Sequence, residues 1–228
     1  DMRDKVNLIK VGKLYDDEFM ITFRNLKQFM IWFSTLEKST LIAHNGKSYD
    51  TWLIFNEIER TEGERPKKIV LAGQKIMYME TKKCRFIDSL NFVNSTLAKF
   101  PKTFGLDENE FKKGFFPYLM NTKEYKNYVG DFPKIELFEP DKMTSRKEFD
   151  IWYNENKHIT DYDFDKELNE YCESDVRILT KSMEVFRDSM KELTDGLDPL
   201  QCVTIASYCM KVFLTNHVPT EKELDGEI

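Results

Sequence analysis

Asp50, Lys113, Tyr171 and Asp175 are the residues of this chain whose types and spacing could do chemistry. Tyr171 lies one helical turn ahead of Asp175 in "ELNEYCESDVRILTKSMEVF", so the two share a helix face, next to a core stripe of Leu168, Cys172, Val176, Leu179, Met183 and Phe186. An aspartate among apolar neighbours is costly to bury unless it is paired or holds a cation; at the edge of the stripe it is equally a surface residue. Asp50 follows the glycine turn of "LIAHNGKSYDTWLI", where a carboxylate in the first turn of a helix suits the helix dipole and can act as an N-terminal cap. Lys113 precedes a glycine and an aromatic pair in "KKGFFPY". A lysine so placed can bring a mobile positive charge to a phosphate while the aromatics stack on unpaired bases, although the same residues also make an ordinary solvated turn. Carboxylates gathered around divalent cations, with a lysine for a phosphate, are what metal-assisted phosphodiester hydrolysis requires.

The elements that must position these groups follow from periodicity. Residues 5–11 and 18–23 predict strands around the polar turn "GKLYDD". Leu26, Phe29, Met30 and Phe33 have helical spacing, with Asn25 as cap and Gln28 three residues on. A strand at 41–44 leads through Gly46 into a helix over 49–60, and a meander of strands at 68–72, 75–80 and 85–88 feeds a sheet. Residues 97–153, which hold Pro101, Pro117, Pro133 and Pro140, predict a loop-rich insertion with only short helical pieces, of the kind that builds binding surfaces. A long helix over 165–192 and a last one over 199–214 complete the pattern.

A 41% hydrophobic, 14% aromatic chain of 228 residues can bury a large core and suits one α/β domain over residues 1–228. No apolar run of about twenty residues and no basic leader followed by an apolar stretch occurs, so the chain reads as soluble, with no membrane partner and no targeting signal. Cys84, Cys172, Cys202 and Cys209 form no CxxC pair and read as reduced core residues, which suits a reducing intracellular compartment. The net charge of −6 argues against wrapping duplex DNA in a general positive field. It does not exclude nucleic acid, because a metal-dependent nuclease collects carboxylates that offset its basic residues.

Four segments in order, "AHNGKSYD", "DSLNF", "KGFFPY" and "YCESD", resemble the proofreading domain of family B DNA polymerases, most closely the protein-primed branch of organellar and viral type. The first is similar to that group's second exonuclease motif, with one residue more between the asparagine and the aromatic than its tightest form. The last is similar to the third motif, Tyr-x-x-x-Asp. The other two are similar to its Ser-Leu motif and its Lys-Gly segment ending in tyrosine. The resemblance implies a 3′–5′ exonuclease of DEDDy type on an RNase H-like (DnaQ-like) fold, a mixed sheet flanked by helices. It implies that Asp50 and Asp175 serve a site for two Mg2+ or Mn2+ ions, that Tyr171 orients the attacking water and that Lys113 assists catalysis. Asn45, Tyr49, Ser89 and Leu90 match residues that hold a single-stranded DNA 3′ end, and the Ser-Leu motif is also implicated in contact with a terminal protein.

The family's first motif, Asp-x-Glu on the opening strand, has no clear counterpart. Asp16 and Glu18 have that spacing but lie in "LYDDEF", close to the helix capped by Asn25 and without a preceding apolar run, and read as a hairpin turn. The matching strand is expected before Asp1, so that the chain is a fragment or has lost that motif and hydrolyses poorly or not at all. No segment resembling the palm or fingers follows. The second class of function open to the sequence is a non-catalytic module that grips single-stranded DNA or a terminal protein on the same surface. A stand-alone ribonuclease of DEDDy type is a third, against which the Ser-Leu and Lys-Gly segments argue.

Overall fold

The computed structural model describes residues 6–60, 65–107, 109–143 and 145–219; Lys5, at the start of the first predicted strand, lies outside them. A hairpin of β1 (Ile9–Lys13) and β2 (Asp16–Phe23) opens the chain, and its register places Ile9 opposite Phe23. Helix α1 (Leu26–Thr35) follows, its Asn25 side chain accepting the Gln28 N–H at 2.9 Å while the Gln28 side chain accepts the Arg24 N–H at 2.7 Å. These bonds satisfy backbone donors that a helix start leaves free. Strand β3 (Ser39–Ala43) then leads to α2 (Asp50–Arg60), and the meander of β4 (Lys68–Ala72), β5 (Lys75–Glu80) and β6 (Cys84–Asp88) falls where the alternating residues predict it.

β3, β6, β5 and β4 form one mixed sheet in that order: β3 and β6 are parallel, and the other pairs antiparallel. Successive residues of a strand face opposite sides, and both β3 and β6 are apolar on each side. Leu41 and Phe86, opposite each other, belong to a core with Phe29 and Phe33 of α1 and Ile58 of α2. Ile42 and Ile87, the next pair, join Met183 and Phe186 on the other face. Those two residues belong to α5 (Phe164–Leu193), a helix of 30 residues. The sheet is therefore flanked by helices on both faces. Burying one such large apolar side chain is worth roughly 1.5–3 kcal/mol, so both faces of β3 and β6 help hold them in the sheet. Among the described residues the β1–β2 hairpin is not hydrogen-bonded to this sheet. It packs on α5 instead, and closely: a Cβ on Gly12 would lie 2.9 Å from Val176 Cγ1.

The insertion has more structure than its prolines suggest. It contains α3 (Phe100–Phe104), β7 (Val129–Gly130), which pairs with β8 (Tyr162–Asp163) beyond it, and most of α4 (Arg146–Asn156), an 11-residue helix where only short helical pieces were expected. Aromatic packing organises it: Phe138 and Phe149 are buried and lie 5.4 Å apart between ring centroids, with Trp152 and Tyr153 against them. The last predicted helix is divided. Pro199–Gln201 forms one 3₁₀ turn, and α6 (Ile205–Asn216) starts afresh after Thr204, which caps it by accepting the Ser207 N–H at 3.1 Å. Of the cysteines, Cys84 is buried as expected, whereas Cys209 is exposed on α6.

Candidate functional site

Parallel pairing of β3 with β6 brings Ala43 level with Asp88, so the residues that follow both strands leave the sheet at the same end. In open α/β sheets the carboxyl ends of parallel strands are where ligands bind. Asn45 takes a left-handed conformation there, φ 61°, and turns the chain into a 3₁₀ turn at Gly46–Ser48. Gly46 is required, since a Cβ at that position would lie 2.6 Å from Ala43 Cβ. Tyr49 follows, half exposed, and Asp50 is the first residue of α2 itself, one position inside the helix and not ahead of it as a cap.

Asp88 ties this turn to the next. Its Oδ1 accepts the N–H groups of Asn45 at 3.0 Å and Leu90 at 2.9 Å, and its Oδ2 accepts the Lys47 N–H at 2.8 Å. The carboxylate is only 2% exposed. Outside it, Lys47 Nζ donates to Asn91 Oδ1 at 2.8 Å, and the Ser48 hydroxyl donates to Asn45 Oδ1. Ser89 is wholly buried, with its hydroxyl 2.9 Å from His44 Nδ1. Its side chain thus supports the surface from beneath, while Leu90 remains half-buried at it. Burial holds the His44 imidazole below its ordinary pKa; the charge of Asp88 opposes that shift, and those of Lys113 and Lys47 add to it.

Asp50 lies at the solvent-exposed start of α2, yet partial desolvation still raises its carboxyl pKa, with the Asp88 charge adding to the rise. Its exposure limits the size of that effect and leaves the direction.

The second half is built on α5. Asp163 caps the helix by accepting the Asp165 and Lys166 N–H groups, and Tyr171 and Asp175 follow on one face. The predicted core stripe holds at Leu168, Met183 and Phe186, but Ile178, on the Tyr171–Asp175 stripe, is fully buried too, so the helix is covered on both stripes at this level. Lys113 Nζ lies 2.7 Å from Asp175 Oδ2 and 5.0 Å from the centroid of the Tyr171 ring. Among the described residues the other oxygen, Oδ1, is buried with no hydrogen-bond partner. Burial raises the Asp175 pKa, and the Lys113 ammonium pulls it back. The Tyr171 ring stacks on Phe116 at 5.0 Å, and its hydroxyl is hydrogen-bonded to that of Tyr118. Burial and then the charge of Asp175 push the Tyr171 phenol well above its ordinary pKa.

The halves meet through His44. Its ring lies edge-on to Phe100 at 4.9 Å, and Phe100 packs with Ile178, one turn beyond Asp175. The predicted residues thus fall into two groups, Asn45, Tyr49, Asp50, Ser89 and Leu90 in one and Lys113, Tyr171 and Asp175 in the other. Asp16 and Glu18 belong to neither: both already lie in β2, beyond a turn at Leu14–Tyr15, and Asp16 pairs with Lys13 at 3.1 Å. No role is read from the sequence for His44, Tyr118 or Asp88. The Phe115–Phe116 pair, expected to stack on unpaired bases, packs inward instead: Phe116 is buried against Phe164 and Tyr171, and Phe115 lies against Phe149 and Trp152. For Asp88 the available signal is an aspartate two residues ahead of a backbone N–H it can cap. Among the described residues, no group of three or more His, Cys, Asp or Glu could hold a metal ion, and no helix is long and apolar enough to cross a membrane.

The chain is thus a mixed α/β structure with one candidate carboxylate, Asp50, past the ends of its parallel strands and another, Asp175, on a covering helix. The chain belongs to the family of type B DNA polymerases, organellar and viral, whose model matches residues 33–227. It is similar to a probable DNA polymerase of Ascobolus immersus, 25% identical over 235 residues that cover 96% of this chain and 18% of that protein. It is similar also to a DNA polymerase of Kluyveromyces lactis, 28% identical over 196 residues covering 81% of this chain and 19% of that one. The chain spans less than a fifth of the length of these relatives. No solved structure matches it.

Proposed function

We propose that residues 1–228 form the 3′–5′ exonuclease domain of a protein-primed, family B DNA polymerase, with an RNase H-like fold of DEDDy type. The observation that carries this reading is Asp175: a largely buried carboxylate with Lys113 on one oxygen, a second oxygen that is buried with no hydrogen-bond partner among the described residues, and Tyr171 one turn away. A buried acceptor left unsatisfied costs about 1–3 kcal/mol unless something fills it, and a hard divalent cation is what carboxylate oxygens of this kind hold.

Asp175 directly, and Asp50 through water, would hold Mg2+ or Mn2+. When bound, the ions lower the pKa of a water and neutralise charge on the phosphate. The protein's own groups do the rest. The Tyr171 phenol, kept protonated, donates a hydrogen bond that orients the attacking water. Lys113 places positive charge beside the scissile phosphate. Asn45, Tyr49 and Leu90 hold the frayed 3′ end, and Ser89 supports them through His44. Two carboxylates are too few for a complete site, and β3 is an edge strand among the described residues. A further strand carrying Asp-x-Glu would join there and supply the remaining ligands. In the test, a longer chain containing this sequence digests 5′-labelled single-stranded DNA from its 3′ end with Mg2+ or Mn2+, and the Asp50→Ala, Asp175→Ala double variant does not. Full activity in the double variant sinks the assignment.

A second reading is favoured by the lack of a three-ligand cluster among the described residues: a non-catalytic module that binds single-stranded DNA or a terminal protein. Such a module holds DNA equally well in a chelator and has no tight metal site.

A further inference from the structure

Asp88 is the most fully satisfied carboxylate near the site. Both oxygens are engaged by backbone N–H groups, two on Oδ1 and one on Oδ2. Capping the 3₁₀ turn at Ser89–Asn91 needs only the Leu90 N–H. The other two bonds cross to a segment more than forty residues earlier in the chain. They fix Asn45, whose left-handed backbone is uncommon for a residue other than glycine, and Lys47, whose ammonium then reaches Asn91. An asparagine could not replace it without loss. Its amide offers an acceptor on one atom only, and the NH2 group would face a backbone N–H.

We propose that Asp88 is the positioning residue of the DNA-end surface: its carboxylate locks the Asn45–Lys47 turn to the Leu90 turn in the single relation in which Asn45, Tyr49 and Leu90 grip one strand. This rests on the exonuclease reading and deepens it, by locating what fixes the shape of the substrate surface away from the metal-binding carboxylates. The sheet itself does not depend on these bonds, since β3 and β6 are held by their own ladder and by the cores on both faces.

The experiment measures binding of a fluorescein-labelled oligothymidylate to the 228-residue chain in a chelator, by anisotropy, alongside thermal melting. Asp88→Asn is expected to raise Kd about tenfold, the scale of one charge-assisted hydrogen bond lost. Ile87→Val, which trims the neighbouring core residue, is expected to lower the melting temperature without changing Kd. Should Asp88→Asn fail to fold, Lys47→Pro is compared with Lys47→Ala: both remove the side-chain charge, and only the proline also removes the N–H that reaches Asp88 Oδ2, so the proline variant must bind more weakly. Equal Kd for wild type and Asp88→Asn, equal Kd for the two Lys47 variants, or as large a loss in Ile87→Val overturns the proposal while leaving the exonuclease reading in place. If the wild-type chain has no affinity for the strand, that reading falls and this inference falls with it.

Discussion

Asp88 and Asp175 are both largely buried aspartates close to the candidate site, and the protein treats them in opposite ways. Asp88 accepts three backbone N–H bonds. Asp175 is held by one lysine and, among the described residues, keeps a buried oxygen without a hydrogen-bond partner. A carboxylate surrounded by fixed amide dipoles is a structural joint; one left half-satisfied costs stability and is retained where something else completes it. Under the proposed function, the contrast gives Asp88 a positioning role and Asp175 a chemical one.

The sharpest way to break that contrast is to remove Asp175. In a longer chain that contains this sequence, Asp175→Ala is expected to slow 3′-end degradation by about a hundredfold or more, the scale set by losing one preorganised charge-stabilising group. Its affinity for single-stranded DNA should hold or tighten, because Lys113 is then freed of its counter-charge. Chelator titration of a degradation assay and anisotropy measure the two separately. Next in size, Lys113→Ala leaves a carboxylate that is three-quarters buried without its partner. We expect a loss of about 1–2 kcal/mol in denaturant unfolding, below the cost of breaking a fully buried pair because solvent still reaches both groups. Asp175→Asn in the same background should recover part of it.

Two smaller effects follow from titration. The Asp50 carboxyl has a raised pKa in the folded chain, so the folded state binds its proton more tightly than the unfolded one does. Ionising it therefore costs stability, and the cost appears as pH rises above the ordinary value of 3.8. Melted in a chelator, Asp50→Asn should be more stable than wild type at neutral pH and lose that advantage in acid. His44 has the opposite sign. Its folded pKa is lowered, so the stability gained by keeping it neutral is present above pH 6.5 and is lost as pH falls through that value toward the folded pKa. A His44→Gln variant should flatten this limb of the stability–pH curve; an unchanged limb would mean that His44 is not the group responsible.

The sheet was legible because its strands alternate or run apolar without ambiguity: β4, β5 and β6 begin or end within a residue of their predicted limits. The long helix was legible from its stripes and the acidic run that caps it. What the sequence hid was held by contacts distant along the chain. Helix α4 lies in a proline-rich segment and owes its place to an aromatic cluster that includes Phe138, Phe149 and Trp152. At the site, spacing alone put Tyr171 with Asp175. Lys113 stood out beside its glycine and aromatic pair, but its pairing with Asp175 spans 62 residues and has no local signature. The burial of Ser89 under His44 and the three bonds to Asp88 had no local signature beyond "DSL", since they depend on β3 and β6 lying parallel and in register.

The division of labour between the two aspartates is tested most directly by steady-state degradation of a single-stranded substrate by wild-type, Asp175→Ala and Asp88→Asn forms of a longer chain with Mg2+. The account predicts that Asp175→Ala loses kcat with little change in KM, and that Asp88→Asn raises KM while keeping most of kcat at saturating DNA. The reverse pattern, or the same pattern in both variants, would contradict it.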